Sequence, residues 1–139
     1  MKPGEHIVEI GKAAFLAGDP LAISAARLLV SETIKNVDTP ASNEQIGVYI
    51  TDLHPGSAHY VIAGRQGGIV AAAWVRHGMS GSTHLHAIAV DPNERGQHYG
   101  SELMSYIAQM AIEHGDTNID LYALSESEHF FRSLGFTSL

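Results

Sequence analysis

The sequence predicts an α/β (α+β) fold: a mixed, mostly antiparallel sheet flanked by helices. Three observations point there. Two amphipathic stretches have helical spacing, at residues 21–36 and about 97–114. Two apolar, β-rich runs, "AHYVIAGRQ" and "IVAAAWVRHG", meet through Gly67-Gly68, a hairpin signal because consecutive glycines accept positive φ. The order of elements, helix, helix, strands, helix, strand, helix, suits a sheet covered by helices. With 139 residues the chain is read as one domain, 1–139.

Residues 5–17, "EHIVEIGKAAFLA", place Ile7, Ile10, Ala14 and Phe15 near helical spacing and are read as a helix, with "HIVEI" alone allowing a short first strand. Gly18 ends that segment, and Asp19-Pro20 supplies an N-cap and a first-turn proline for "LAISAARLLVSETIKN". Residues 37–45 are polar and read as a loop. The β-branched "IGVYITDL" (46–53) reads as a strand, turned by "HPGS". After the hairpin, "HLHAIAV" (84–90) is a strand. In the helix that follows, Tyr99, Leu103, Tyr106, Ile107, Met110, Ala111 and His114 recur at three- and four-residue spacing, and Gly115 stops it. "NIDLYAL" is a strand with Ile119, Leu121 and Ala123 on one face. Ser125 and Glu128 have capping-box spacing and open a short helix, "SEHFFRSL", closed by Gly135.

Composition narrows the function. A hydrophobic fraction of 45% suits a globular chain, and the lack of cysteine excludes disulfides, thiolate metal sites and a thiol nucleophile. The net charge is −7, and the eight Lys and Arg are scattered from Lys2 to Arg132 with no basic stripe, so nucleic acid is not the expected partner. An acidic surface favours the approach of a cationic small substrate. No apolar run approaches the roughly 18 residues a membrane span needs, and "MKPGEHIVEI" has no signal-peptide core, so no membrane contact and a cytoplasmic location are expected.

The chemistry concentrates in "HLHAIAVDPNERGQHYG", residues 84–100. A helix start offers free N–H groups and partial positive charge, Gly96 and Gly100 leave room beside the backbone, and Arg95 adds a fixed cation; together they suit a phosphate-bearing ligand. On a regular strand, His84 and His86 share a face with Ile88 and Val90. Three readings of that pair stand open: proton transfer near neutral pH, filling of a polar cavity, or two ligands of a metal such as zinc. The metal reading needs a third ligand, which His59, His77 or His98 can supply only through the fold. Trp74 reads as sheet-face packing, and His6, His54, His77, His114 and His129 show no spacing that marks a site.

An apolar strand ending in "AVDP", the loop from Arg95 to Gly100, an amphipathic helix, a strand, and a short helix ending "FFRSLGF" together resemble the GNAT superfamily of acyl-CoA-dependent N-acyltransferases, over about residues 58–136. The family loop runs Arg or Gln, two residues, Gly, one residue, Gly or Ala; Arg95 and Gly100 match its ends, while His98 stands at the central Gly. The resemblance implies acetyl-CoA as co-substrate, with no metal. It implies that the backbone of Ile88, Ala89 and Val90 pairs with the pantetheine arm, and that the Ile88 N–H polarises the thioester carbonyl. It further implies that Arg95 and the amides of Gly96, Gln97, His98, Tyr99, Gly100 and Ser101 hold the diphosphate. "HLHAIAV" is similar to the corresponding strand of arylalkylamine N-acetyltransferases, where paired histidines are assigned to a proton wire; this makes His84 and His86 the expected catalytic residues.

The reaction implied is acetyl transfer to a primary amine of a small molecule by direct attack in a ternary complex. Phe131 stands where the family commonly has a proton-donating Tyr, leaving Tyr122 or Tyr99 as substitutes, or a CoA-binding domain without turnover as the alternative function. The family pattern continues past Gly-Phe into two more strands, whereas "TSL" follows Phe136 here, a shortened C-terminus; a homodimer covering the sheet edge is therefore expected.

Overall fold

The computed structural model describes residues 1–33, 41–64, 68–122 and 128–137. Five strands form one sheet in the order β1-β2-β3-β4-β5: β1 (His6–Gly11), β2 (Ser57–Ala63), β3 (Ile69–Met79), β4 (Ser82–Val90) and β5 (Asn118–Leu121). Neighbours are antiparallel except β4 and β5, which run parallel. The helices are α1 (Lys12–Leu16), α2 (Pro20–Thr33), α3 (Asn43–Asp52), α4 (Tyr99–Glu113) and α5 (Glu128–Ser133).

Two expected elements change type. Residues 6–11 form β1, not a helix: Ile10 is buried, and pairing with β2 satisfies a backbone that has only the short α1 after Gly11. The expected strand at 46–53 is α3. Ser42 accepts from the Gln45 N–H at 3.1 Å, and the Gln45 side chain accepts from the Ser42 N–H at 2.8 Å. That reciprocal cap outweighs the β-branched composition, and it sets Ile46, Tyr49, Ile50 and Leu53 on the face that packs on α2 and the sheet. The hairpin at Gly67, residues 34–36 of the second helix, Ala123 and the Ser125–Glu128 cap lie outside the described residues, apart from Gly68 and Glu128 themselves.

The sheet divides the core in two. On one face α1, α2 and α3 pack with Val61, Ala72 and Ala89; on the other α4 and α5 pack with Tyr60, Ile62, Val75 and Leu85. Small residues make the first layer thin: Ala22, Ala25, Ala26 and Ala72 are fully buried, which lets α2 sit close against the strands. On the second face a polar chain crosses the core. Asp116 can only accept, so the Thr83 hydroxyl donates to it at 2.7 Å. Thr83 in turn accepts from His77 Nδ1–H at 2.7 Å, and His77 Nε2 accepts from the Tyr60 hydroxyl at 2.7 Å. One neutral tautomer satisfies every member. His114 stacks on His77 with centroids 4.2 Å apart, a pairing that sequence spacing does not reveal.

β4 carries the irregularity that matters most. Trp74 pairs with Ala87, yet Val75 pairs with Leu85, so His86 is an extra residue opposite β3. This bulge breaks the two-residue alternation. His86 and Ala87 turn to the α2–α3 side, as Ala89 does, while Ile88 and Val90 pack with α4. The single face expected for His84, His86, Ile88 and Val90 is therefore split, because one inserted residue inverts the side-chain parity downstream.

Candidate active site

β5 pairs with β4 only from Ser82 to Leu85. Beyond Leu85 the two strands diverge, and residues 86–90 have no strand partner on that side among the described residues. A cleft of about 1060 Å³ opens in the fork. Its walls include the β4 segment from Leu85 to Val90, the turn at Arg95, Gly96 and His98, the start of α4 at Tyr99, Gly100 and Ser101, and Phe130 and Phe131 of α5. The expected site residues thus converge on one cleft, with the exceptions of His84, one strand position behind it, and Gln97, whose side-chain amide donates to Glu94 at 3.0 Å.

Hydrogen-bond direction along β4 follows from one contact. The Asp91 N–H bonds to the Val70 carbonyl at 2.8 Å, which makes Val90–Ala71 a non-hydrogen-bonded pair of the antiparallel ladder. By alternation Ala89 exchanges its bonds with Ala72, and the N–H and C=O groups of Ile88 and Val90 point away from β3, into the fork. An extended ligand laid along β4 meets free donors and acceptors at these two residues.

The cleft ends at the α4 N-terminus. The first helical bond runs from Glu102 N–H to the His98 carbonyl, so the N–H groups of Tyr99, Gly100 and Ser101 have no intrahelical partner. Gly96 has φ +80° and His98 has φ +66°, so the turn curls around these amides. The left-handed conformation at His98 explains why glycine suits that position and how histidine fills it, at a modest strain. Gly100 sits tight under α5: a Cβ there would lie 3.1 Å from the Phe130 ring. Arg95 reaches across to Glu32 on α2 at 2.7 Å, bridging the cleft mouth.

The histidines adjoin an aromatic stack. Trp74 lies between His86 (centroids 4.3 Å apart, 20° between planes) and His59 (6.1 Å, 3°). The Tyr49 hydroxyl meets His59 Nε2 at 2.6 Å, while His59 Nδ1 and the Trp74 indole nitrogen are buried with no hydrogen-bond partner among the described residues. Burial pulls the His59 pKa down to about 3, with the His86 charge adding to the effect. Loss of hydration against Trp74 lowers His86 as well, helped by His84 and Arg76 and opposed by Asp120. These effects favour the uncharged imidazole of His86. His84 stands 4.5 Å from His86, centroid to centroid, and its Nδ1 is bound to the Asp120 carboxylate.

Asp120 and Glu32 were not singled out from sequence. The alternation of β5, with Ile119 and Leu121 facing α4, does place Asp120 on the opposite face, but only the strand register sets it beside His84. The two tyrosines separate. Tyr99 is buried and donates its hydroxyl to Glu5 at 2.7 Å, which drives its pKa up to about 12, whereas Tyr122 is 94% exposed and lines the cleft. Phe131 is buried in the α4–α5 layer. A metal has no third ligand here: among the described residues no three His, Asp or Glu side chains gather closely enough to hold one.

A forked sheet whose free edge leads into a glycine-bearing helix start matches the comparison with known families. The acetyltransferase (GNAT) family matches residues 25–136. The chain belongs to the GNAT acetyltransferase family. It is an acetyl-CoA-dependent acetyltransferase of that family. Solved GNAT-like structures share its fold at low identity. An integron cassette protein from the mobile metagenome of V. cholerae superposes with a TM-score of 0.75 at 17% identity, covering 99% of this chain and 88% of its own. An aminoglycoside acetyltransferase from an uncultured soil metagenomic sample, in complex with sisomicin, gives 0.71 at 17% identity, covering 98% and 90%. Glucosamine-6-phosphate N-acetyltransferase from Arabidopsis thaliana gives 0.62 at 15% identity, covering 97% and 92%. No curated protein sequence matches this GNAT chain. No helix among the described residues is long and apolar enough to cross a membrane.

Proposed function

We propose that this GNAT protein transfers the acetyl group of acetyl-CoA to a primary amine of a small molecule, by direct attack within a ternary complex. The observation that carries this reading is the fork between β4 and β5, with the peptide groups of Ile88 and Val90 turned into it and the α4 amides at its end. When bound, acetyl-CoA supplies an activated thioester carbonyl. Ile88 and Val90 pair with the pantetheine arm, and the Ile88 N–H draws charge onto the carbonyl oxygen. Ala89 contributes its side chain and spacing, its own peptide groups being engaged with β3. Arg95 and the turn from Gly96 through Gln97 and His98 to the amides of Tyr99, Gly100 and Ser101 receive the diphosphate.

His86 faces the acceptor. Its neutral imidazole takes the proton from the arriving ammonium, and His84 passes it toward solvent; a base of this kind contributes ~10²–10⁴-fold in rate. Tyr122 is the hydroxyl placed to protonate the departing thiolate, since Tyr99 is committed to Glu5. The edge of β5, which has no further strand beside it among the described residues, lies next to the exposed Tyr122 and supports a homodimer in which a second copy covers the fork's outer side.

Calorimetric titration with acetyl-CoA, followed by a thiol-release assay against a panel of small amines, tests the reading. Micromolar binding and amine-dependent thiol release that falls at least 100-fold in the His84→Ala, His86→Ala double variant are expected. Phe131 favours a second reading, a CoA-binding domain without turnover, because a buried phenyl ring stands where a proton donor is common. Binding without release by any amine selects that reading; failure to bind overturns both.

A further inference from the structure

A base that accepts a proton from an amine must be held in one tautomer and must have somewhere to pass the charge. His86 is held by Trp74, 4.3 Å from its ring on one face. His84 is held from the neighbouring strand. The parallel register puts Asp120 directly opposite His84, and the Asp120 carboxylate binds His84 Nδ1. A carboxylate only accepts, so Nδ1 carries the hydrogen and neutral His84 keeps its lone pair on Nε2. The His84 ring meets that of His86 edge to face, at 83° and 4.5 Å, near enough for a bridging water to carry a proton between them. Other charged or titratable groups face the pair too. Arg76 of β3 is opposite His84, Tyr122 follows β5 with its ring 6.2 Å away, and His59 lies behind Trp74. Arg76 opposes positive charge on His86, and Asp120 is the anion that offsets it.

We propose that Asp120 is a positioning residue: it fixes His84 as an Nε2 base and stabilises the imidazolium formed when the proton arrives from His86. This rests on the acetyl-transfer reading above. In the step, the N–H bond of the ammonium breaks and its electron pair stays on nitrogen. The proton joins the imidazole lone pair of His86, moves through the water to His84 Nε2, and leaves to solvent from His84, whose side chain is 22% exposed beside the half-exposed Asp120.

The test pairs ¹⁵N imidazole spectroscopy with kinetics on wild type, Asp120→Asn, Asp120→Ala and Asp120→Glu. Wild-type His84 should show the Nδ1–H tautomer, lost to a mixed population in the Ala variant. The Asn and Ala variants should lose 10–100-fold in kcat with less than twofold change in the KM for acetyl-CoA. Their acid limb of kcat should move to lower pH, because removing the Asp120 anion makes His86 harder to protonate. Asp120→Glu should recover part of the loss. An Nε2–H tautomer in wild type, or a kcat loss without displacement of the pH profile, overturns the assignment. The tautomer measurement needs no turnover: an enzyme that acetylates no amine but shows an Asp120-dependent Nδ1–H tautomer refutes the acetyl-transfer reading and upholds the hold of Asp120 on His84.

Discussion

Glu32 on α2 holds the guanidinium of Arg95 at 2.7 Å, so the cation heading the α4 turn is neutralised from across the cleft. A diphosphate must compete with that carboxylate. Glu32→Gln should therefore tighten CoA binding about fivefold, the worth of a partly exposed ion pair of about 1 kcal/mol. Arg95→Ala should weaken it about tenfold or more, since charge-assisted bonds contribute about 1.5–3 kcal/mol. Calorimetry at low and high salt checks both. Weaker binding in Glu32→Gln would show that the bridge orients Arg95 and does not compete with the ligand.

His98 has φ +66°, where a Cβ costs about 1–2 kcal/mol. His98→Gly should leave the unfolding midpoint unchanged or raise it, whereas His98→Val should lower stability by about 1–2 kcal/mol. Thermal melts of the two variants beside wild type decide the matter; a large loss in His98→Gly would mean the imidazole makes a stabilising contact.

Gly100 is tight for a different reason. Its missing Cβ would sit 3.1 Å from the ζ carbon of Phe130, a ring that itself lines the cleft. Gly100→Ala should push that ring toward the ligand and reduce CoA affinity several-fold with only a small drop in melting temperature. Adding Phe130→Ala should restore binding if the two side chains collide as the geometry indicates.

Acid should unfold the protein chiefly through the buried His59. His59 falls from an ordinary 6.5 to about 3, and His77 and His86 are lowered mainly by burial. Below pH 6.5 the unfolded chain takes up protons that the folded chain refuses. Stability is thus fully present above that value and is lost as pH falls toward the folded pKa, by about 2 kcal/mol at pH 5 for His59 alone. Urea midpoints should fall from pH 7 to pH 5, and His59→Gln should flatten the slope. Parallel slopes in the two proteins would remove His59 from the account.

What the sequence made legible was local. The strands around the Gly67-Gly68 region, the long α4 helix with its stop at Gly115, and the glycine-bearing turn at Arg95 each declare themselves within a dozen residues. The α3 segment misled because Val48, Ile50 and Thr51 are β-branched, although Ser42 and Gln45 already had capping-box spacing. β1 was misread because its strand character comes from pairing with β2, some fifty residues away. Likewise Asp120 and Glu32 reach the site through strand register and helix packing, which no spacing along the chain encodes. The bulge at His86 escaped for the same reason: an extra residue is visible only against the partner strand that lacks it.

That surplus residue makes the enzyme's opening a counting error kept on purpose. Remove His86, and the ladder with β3 would run in step to its end, with Ala87 still opposite Trp74 and Ile88 still opposite Ala73. Ile88 and Val90 would keep their seats against α4, and their peptide groups would still point away from β3. A single-codon deletion there would therefore straighten β4 and erase one histidine of the pair, so the surplus residue bends the strand where the fork opens without deciding which way Ile88 looks.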